Sequence, residues 1–382
     1  MSRLEQLIKE FCPNGVEYKK ISEVYKRLKG TPITAGKMKE IDNPNGEIRI
    51  FAGGKTVINA EEKDIPNANI TRVPAVLIQS RGVIDAVYYD KPFTFKNEMW
   101  AYTAGNEIAV KYLYYVLKSN LSHFRKSASG MGSLPQISLR VTEEFVIPLP
   151  LLPVQQEIVR ILDNFTELTA ELTAELTAEL TARRKQYEYY RDFLLTFGDE
   201  VEWTTLGEVA INLDSKRKPV AKGKRKAGEY PYYGASGIVD YVDDYIFDGD
   251  YLLVSEDGAN LVARVTPIAF SASGKIWVNN HAHVLEFETY EDRKFIEYYL
   301  NMIDLSRFLS TAAQPKLTQE NLNKIPVPAP SFEEKERIVA ILDRFDALCN
   351  DLTSGIPAEI EARQKQYEYY RDKLLSFKEV TA

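Results

Sequence analysis

The sequence predicts an α+β protein in which one fold is used twice, each copy followed by a long helical segment. Three observations carry this expectation. The block ARRKQYEYYRDFLLTF at 182–197 returns as ARQKQYEYYRDKLLSF at 362–377, differing only at Arg184/Gln364, Phe193/Lys373 and Thr196/Ser376. Self-similarity of that kind marks an internal duplication. Upstream of each block, IVRILDNF (158–165) returns as IVAILDRF (338–345) and IPLP (147–150) as IPVP (325–328), while VEWTTLGEV (201–209) resembles VEYKKISEV (16–24). Between these repeats, β-branched and aromatic stretches are punctuated by Gly, Pro, Asn and Asp, the pattern of strands and turns.

In chain order, residues 1–150 form the first globular part, 151–197 a helical part, 198–328 a second globular part and 329–382 a second helical part. In the first globular part AVLIQS (75–80) and AVYYD (86–90) alternate as strands, with a helix near Lys111–Leu121. The helical segment that follows places Ile158, Ile161, Leu162, Phe165, Leu168 and Leu172 at the three- and four-residue spacings of a buried stripe. Pro150 and Pro153 punctuate its start. TAEL then recurs in tandem over 169–180, so Leu168, Leu172, Leu176 and Leu180 drift by about 40° per repeat and each unit adds about 6 Å of helix, a ruler-like spacer. In the second globular part YLLVSE (251–256), ARVTPIAF (263–270) and KIWVNNHAHVLEF (275–287) read as strands, with a helix near Arg293–Leu305. Pro328 and Pro330 precede the last helical segment, and SGIP (354–357) divides it into two helices.

Composition narrows the function. The 382 residues are 45% hydrophobic and 27% charged, with no uncharged apolar run of membrane-spanning length. The opening MSRLEQLIKEF has neither an h-region nor a cleavage site, so a cytoplasmic location is expected. Cys12 and Cys349 alone supply neither a disulfide framework nor a cysteine zinc site. GGKT (53–56) is the nearest thing to a phosphate loop, but Arg49 stands where the pattern needs Gly. His281 and His283 share a strand face at a spacing possible for a metal pair, but with three histidines in the chain and no cysteine nearby, no metal centre is expected. No nucleophile has an evident base partner. Neither catalytic nor cofactor residues are assigned, and the chain is expected not to be an enzyme. A net charge of −7 confines any nucleic-acid surface to local patches, and one exists at Lys216, Arg217, Lys218, Lys222, Lys224, Arg225 and Lys226.

The duplicated KQYEYYRD blocks, the TAEL tandem, DLTSGIPAEIEARQKQYEYYRDKLL (351–375), YPYYGASGIVDYV (230–242) and KIWVNNHAHVL (275–285) together resemble the specificity subunit of type I restriction-modification systems along essentially the whole chain. The resemblance implies two target-recognition domains, each reading one half of a bipartite, asymmetric DNA site. It implies antiparallel, coiled-coil-like helical spacers with pseudo-twofold symmetry that dock methyltransferase subunits. The implied partners are double-stranded DNA, two modification subunits using S-adenosylmethionine to methylate adenine, and two restriction subunits using ATP and Mg. A modification-only or other defence complex is the alternative, and a helical protein-interaction scaffold that binds no DNA is the alternative of another class.

Candidate DNA contacts in the first half are Arg49, Lys55, Arg81, Lys96, Asn97, Arg125 and Lys126, polar groups beside turn signals. In the second half the basic loop is joined by Tyr233, Ser236, Asn260, Arg264, Lys275, Asn279, Asn280 and Lys316. The loops 127–136 and 310–316 are expected to occupy equivalent places. Tyr187, Tyr190, Tyr367 and Tyr370 serve helix packing or subunit docking.

Overall fold

The computed structural model describes residues 2–54, 56–65, 67–129, 134–310, 314–351 and 353–380. Contacts divide the chain into two units, residues 1–175 with 360–382, and residues 176–359. Elements of the first are α1 (Arg3–Phe11), β1 (Glu17–Lys20), α2 (Ile21–Val24), β2 (Lys26–Leu28), α3 (Ala35–Glu40), β3 (Ile48–Phe51), β4 (Val57–Ala60), β5 (Ala75–Gln79), β6 (Asp85–Tyr89), β7 (Phe93–Phe95), β8 (Trp100–Thr103), α4 (Glu107–Ser119), α5 (Leu121–Lys126), α6 (Leu139–Glu143) and β9 (Val146–Leu149). Next comes α7 (Leu152–Leu195), a 44-residue helix. The second unit carries β10 (Trp203–Thr205), α8 (Leu206–Val209), β11 (Ile211–Asn212), β12 (Ala227–Gly234), β13 (Gly237–Val242), β14 (Phe247–Ser255), α9 (Asn260–Ala263), β15 (Ala269–Val278), β16 (Ala282–Glu286), α10 (Tyr290–Met302), α11 (Gln319–Asn323) and β17 (Pro326–Pro328). Two helices follow, α12 (Phe332–Asn350) and α13 (Ile356–Leu374).

The two units repeat one topology. The central sheet runs β2-β8-β5-β6 in the first and β11-β16-β14-β15 in the second, antiparallel throughout. Each carries an antiparallel hairpin, β3–β4 or β12–β13, whose first strand pairs in parallel with the chain leaving the central sheet. A two-stranded antiparallel ladder, β1–β9 or β10–β17, closes each body beneath. The first central strand, β5, is buried along its whole length and so needs no alternation. One long helix packs on each sheet, α4 through Val110, Leu113 and Leu117, and α10 through Phe295, Ile296 and Leu300. Both helices begin earlier than the sequence suggested, because Asn106 and Thr289 cap them by accepting from the N–H of Ile108 and Asp292.

Two expected strands are corrected. ARVTPIAF is not one strand: Ala263 ends α9, Arg264 takes a left-handed φ of 50°, and pairing starts at Ala269. KIWVNNHAHVLEF is two strands, because the buried Asn279 turns the chain by accepting the His281 N–H through Oδ1. The helical segments follow the expectation in extent, but the buried stripe of α7 does not hold at Leu168, which is 60% exposed because it lies beyond the helix's packing on the body of the first unit. Pro153 and Pro357 fall in the first turns of α7 and α13, where a missing N–H is harmless. The break at Gly355 is steric, since a Cβ there would lie 2.6 Å from the Ala347 carbonyl oxygen.

Each unit also borrows the duplicated block of the other repeat. In the first, Phe165 of α7 meets Tyr370 of α13 edge-on at 6.2 Å, and Thr166 bonds the Tyr367 hydroxyl at 3.0 Å. In the second, the same pairing is made by Phe345 of α12 with Tyr190 and Tyr187 of α7, at 5.6 and 6.4 Å. In the first unit the Trp100 indole N–H and the Tyr102 hydroxyl both donate to Thr142 Oγ1, at 2.8 Å each. Thr142→Val strands both buried donors and is expected to cost about 1–3 kcal/mol, measured as a shift of the urea midpoint of the full chain; an unchanged midpoint would contradict this packing.

Candidate nucleic-acid interface

Four loops of the first unit converge at one end of its central sheet. The Gly54 N–H at the tip of the β3–β4 hairpin donates to the Arg81 carbonyl at 3.3 Å, and Gly82 donates to the Pro135 carbonyl at 2.9 Å. Ile137 donates to the Ser80 carbonyl, Ser129 and Gln136 exchange both backbone bonds, and Lys96 donates to Phe51. Ser80 Oγ ties the turn at Glu98 to this group at 2.7 Å. Gly54 and Gly82 take φ values of +74° and +76°, which a side chain would strain. The backbone is thereby fixed, while Arg81, Asn97 and Gln136 leave it into solvent. Lys96 is instead half-buried and paired with Glu98 at 2.9 Å.

The second unit repeats the core of this convergence, with some bonds of its own. Gly258 donates to Pro315, Leu317 to Glu256, Asn279 to Tyr233 and Glu256 to His281, while Ser255 Oγ reaches the Ala235 carbonyl in the β12–β13 tip. Loops 127–136 and 310–316 are therefore equivalent over their described residues, as the sequence suggested. The matching bonds align Arg81 with Asp257, Asn97 with Asn280, Glu98 with His281, Trp100 with His283 and Gln136 with Lys316. Thr31 and Lys218 also correspond, since they donate to Phe95 and Val278, and Leu28 and Leu213 correspond at the sheet edge; the turn between them, which carries Lys29 or Lys216, is two residues longer in the second unit. The FAGG segment is thus a hairpin tip matching YGASG.

Behind these loops the second unit holds a buried charge cluster that the sequence did not reveal. His283 Nδ1 lies 2.6 Å from Asp214 Oδ2, and Nε2 lies 2.8 Å from the Leu317 carbonyl. Arg217 bridges Asp214 at 3.2 Å and Glu256 at 2.6 Å, and Lys316 reaches Glu256 at 2.8 Å. Burial pushes the Asp214 and Glu256 carboxyls up. The opposing bonds win and hold both below the usual range, from His283, Val284 N–H and Arg217 at Asp214, and from Lys316 and Arg217 at Glu256. The ligand atoms of Asp214, Glu256 and His283 lie within 4.8 Å of one another, but a metal ion would have to displace the two cations already neutralising them.

The remaining candidates sort by their partners. Arg217 and Arg225 are structural members of the basic loop, Arg225 pairing with Asp240 at 3.1 Å and lying 4.2 Å over the Tyr232 ring. Lys216, Lys218, Lys222, Lys224 and Lys226 are exposed. Asn260 and Arg264 are internal ties: Asn260 bonds both backbone groups of Thr266, and Arg264 donates to the carbonyls of Leu300 and Ile303. Asn279 is buried, and Tyr233 stacks on Phe270 at 6.1 Å. Lys275 lies over Tyr245 at 4.8 Å, and Arg49 over Phe51 and Tyr89 at 5.8 and 5.7 Å. Arg125 donates to the Ile84 carbonyl, and Lys126 and Ser236 are exposed. Lys55 lies outside the described residues.

On the helices, Tyr187, Tyr190, Tyr367 and Tyr370 make the internal contacts given above. The neighbouring Tyr189 and Tyr369 are the outward pair, 65% and 61% exposed. A cavity of about 270 Å³ in the first unit is lined by Phe165, Leu168, Leu172, Tyr367 and Tyr370. Leu176 and Leu180 are half-buried.

The sequence profile of the type I restriction modification DNA specificity domain matches this chain twice, over residues 13–182 and 198–362. The specificity subunit of the Escherichia coli type I enzymes EcoR124I and EcoR124II is 37% identical over 301 residues, 71% of this chain and 72% of that one. A Haemophilus influenzae relative from the same class of subunits is 41% identical over 196 residues, so the match spans about half of each chain. Among solved structures, the S subunit of M. genitalium superposes with a TM-score of 0.53 at 19% identity, covering 94% of this chain and 96% of that one. A chain from a type I restriction-modification assembly gives 0.61 at 15% identity, covering 95% and 98%. Both share the fold.

The charge cluster sets a measurable expectation. Arg217→Ala leaves buried carboxylates short of a partner and is expected to cost about 3–5 kcal/mol in the unfolding of the second unit. The carboxylates' contribution is complete above their unfolded values near pH 4 and is lost as pH falls through their lowered folded values, so acid unfolding is expected to be shallower in Asp214→Asn. Urea melts across pH 3–8, with and without EDTA, check this; a fall in midpoint on adding EDTA would show a resident metal instead.

Proposed function

Because this chain belongs to the type I restriction-modification DNA specificity family, we propose that its two units each read one half of a bipartite, asymmetric duplex site. The observation that carries this reading is the four-loop convergence built twice on one backbone with different side chains. A repeated scaffold supports two reading heads, and the differing chemistry of Arg81/Asp257 and Gln136/Lys316 supports two different half-sites.

The chain's part is recognition and placement. Two methyltransferase subunits dock on the duplicated helical blocks, where Tyr189 and Tyr369 offer the same exposed aromatic twice, and two restriction subunits join that assembly. S-adenosylmethionine, ATP and Mg belong to those partners. Methylating a paired adenine requires taking it out of the stack, so recognition and chemistry have to be held in fixed register. The continuous α7, with its TAEL tandem, supports a spacer role.

A selection from random duplexes, using the chain with its methyltransferase subunits, tests the reading: two short motifs at a constant separation are expected, and no enrichment would overturn it. Deleting one TAEL unit removes about 6 Å of helix, under two base-pair rises of 3.4 Å. The gap between motifs is expected to shrink by one or two base pairs with every letter retained, as methylome sequencing would read out; altered letters at an unchanged gap would contradict the spacer role.

A further inference from the structure

The duplication offers a way to separate residues that position DNA from residues that read it. Positions that do the same job in both units can keep the same residue, because the phosphate backbone is the same at every site. Positions that read bases must differ if the half-sites differ. Lys29 and Lys216 are both exposed lysines in the same turn after the edge strand of the central sheet. Asn97 and Asn280 are likewise the same and exposed. Arg81 and Gln136 have Asp257 and Lys316 in their places.

The first pair has the features of a preformed reader. Neither Arg81 nor Gln136 makes a side-chain hydrogen bond among the described residues, although the backbone of each is held on both sides. Arg81 is fixed by the bond its carbonyl accepts from Gly54 and by the bridge to Gln136, and Gln136 by its two bonds to Ser129. Gln136 also lines an open cleft of about 630 Å³ with Asn97 and Lys29. A guanidinium fork matches the O6 and N7 acceptors of guanine, and a primary amide matches the N6 donor and N7 acceptor of adenine. In the second unit Lys316 is 47% exposed while tied to Glu256, leaving ammonium hydrogens for guanine acceptors. Asp257 turns back onto His281 at 2.8 Å and offers no donor where Arg81 does.

We propose that Arg81 and Gln136 read base edges of the first half-site, that Lys316 reads the second, and that Lys29 and Lys216 grip phosphate in both. This rests on the two-headed DNA reading above.

The same random-duplex selection, run on the full chain with its methyltransferase subunits, tests the assignment. Arg81→Ala and Arg81→Lys are each expected to relax discrimination at one position of the first half-site by about 10–100-fold, with the second half-site unchanged. Gln136→Lys is expected to switch one first-half letter from adenine to guanine, and Lys316→Gln the equivalent second-half letter from guanine to adenine. Lys29→Ala and Lys216→Ala are expected to weaken all sequences alike and lower the salt slope by about one. Both motifs surviving letter for letter in the Arg81, Gln136 and Lys316 variants would overturn the assignment, as would letter changes caused by Lys29→Ala. A wild-type complex that enriches no bipartite motif would instead sink the two-headed reading itself.

Discussion

The first unit is completed by backbone bonds between segments far apart in the chain. Val16 donates to the Lys378 carbonyl at 2.9 Å, and Val380 donates back to Val16 at 3.0 Å. Gly15, at a φ of +113°, lets the strands approach so closely that a Cβ would lie 2.3 Å from the Lys378 oxygen. Tyr18 adds a hydroxyl bond to the Phe377 carbonyl. Through this seam the block at 362–377 joins the body of the first unit, with Leu375 in its core. In the second unit the corresponding block, 182–197, runs covalently into β10, so no such seam is needed. Loop closure costs grow slowly with length, which lets a few ladder bonds and a buried leucine stand in for a peptide connection.

What the sequence made legible was what the two copies still share. The repeated blocks, the helix break at SGIP and the buried start of the α7 stripe at Ile158 and Leu162 follow from local chemistry. The basic loop was harder to read, because counting cations cannot show which are used internally. Arg217 finds Glu256 just past β14, and Arg225 finds Asp240 from β13, partners many residues away. Arg264 likewise is used internally, its carbonyl acceptors lying on and just past α10. The reading loops were visible only as turn signals. The pairing of FAGG with YGASG was hidden because those tips have diverged, and their equivalence lies in hydrogen bonds.

The position behind the loops shows how one backbone tolerates different chemistry. Trp100 fills it in the first unit and bonds a neutral threonine; His283 fills it in the second and is held between a carboxylate and a carbonyl. A neutral solution is forgiving of pH. The charged one is stable only as a complete set, because removing one member of a buried pair leaves the other without compensation. The second reader is therefore bound more tightly to its own cluster, and its loop around Lys316 cannot change freely without attention to Glu256.

The seam at Val16 also orders events during synthesis. Domains ordinarily fold in the sequence in which they leave the ribosome. Here residues 360–380, which complete the first unit, emerge only after all of 176–359. The second unit can close on its own contiguous chain while the first, although made earlier, waits with its lower face open. Newly made chains thus pass through a stage with one finished reader and one unfinished one, and the apolar surface awaiting Leu375 is what a chaperone would meet.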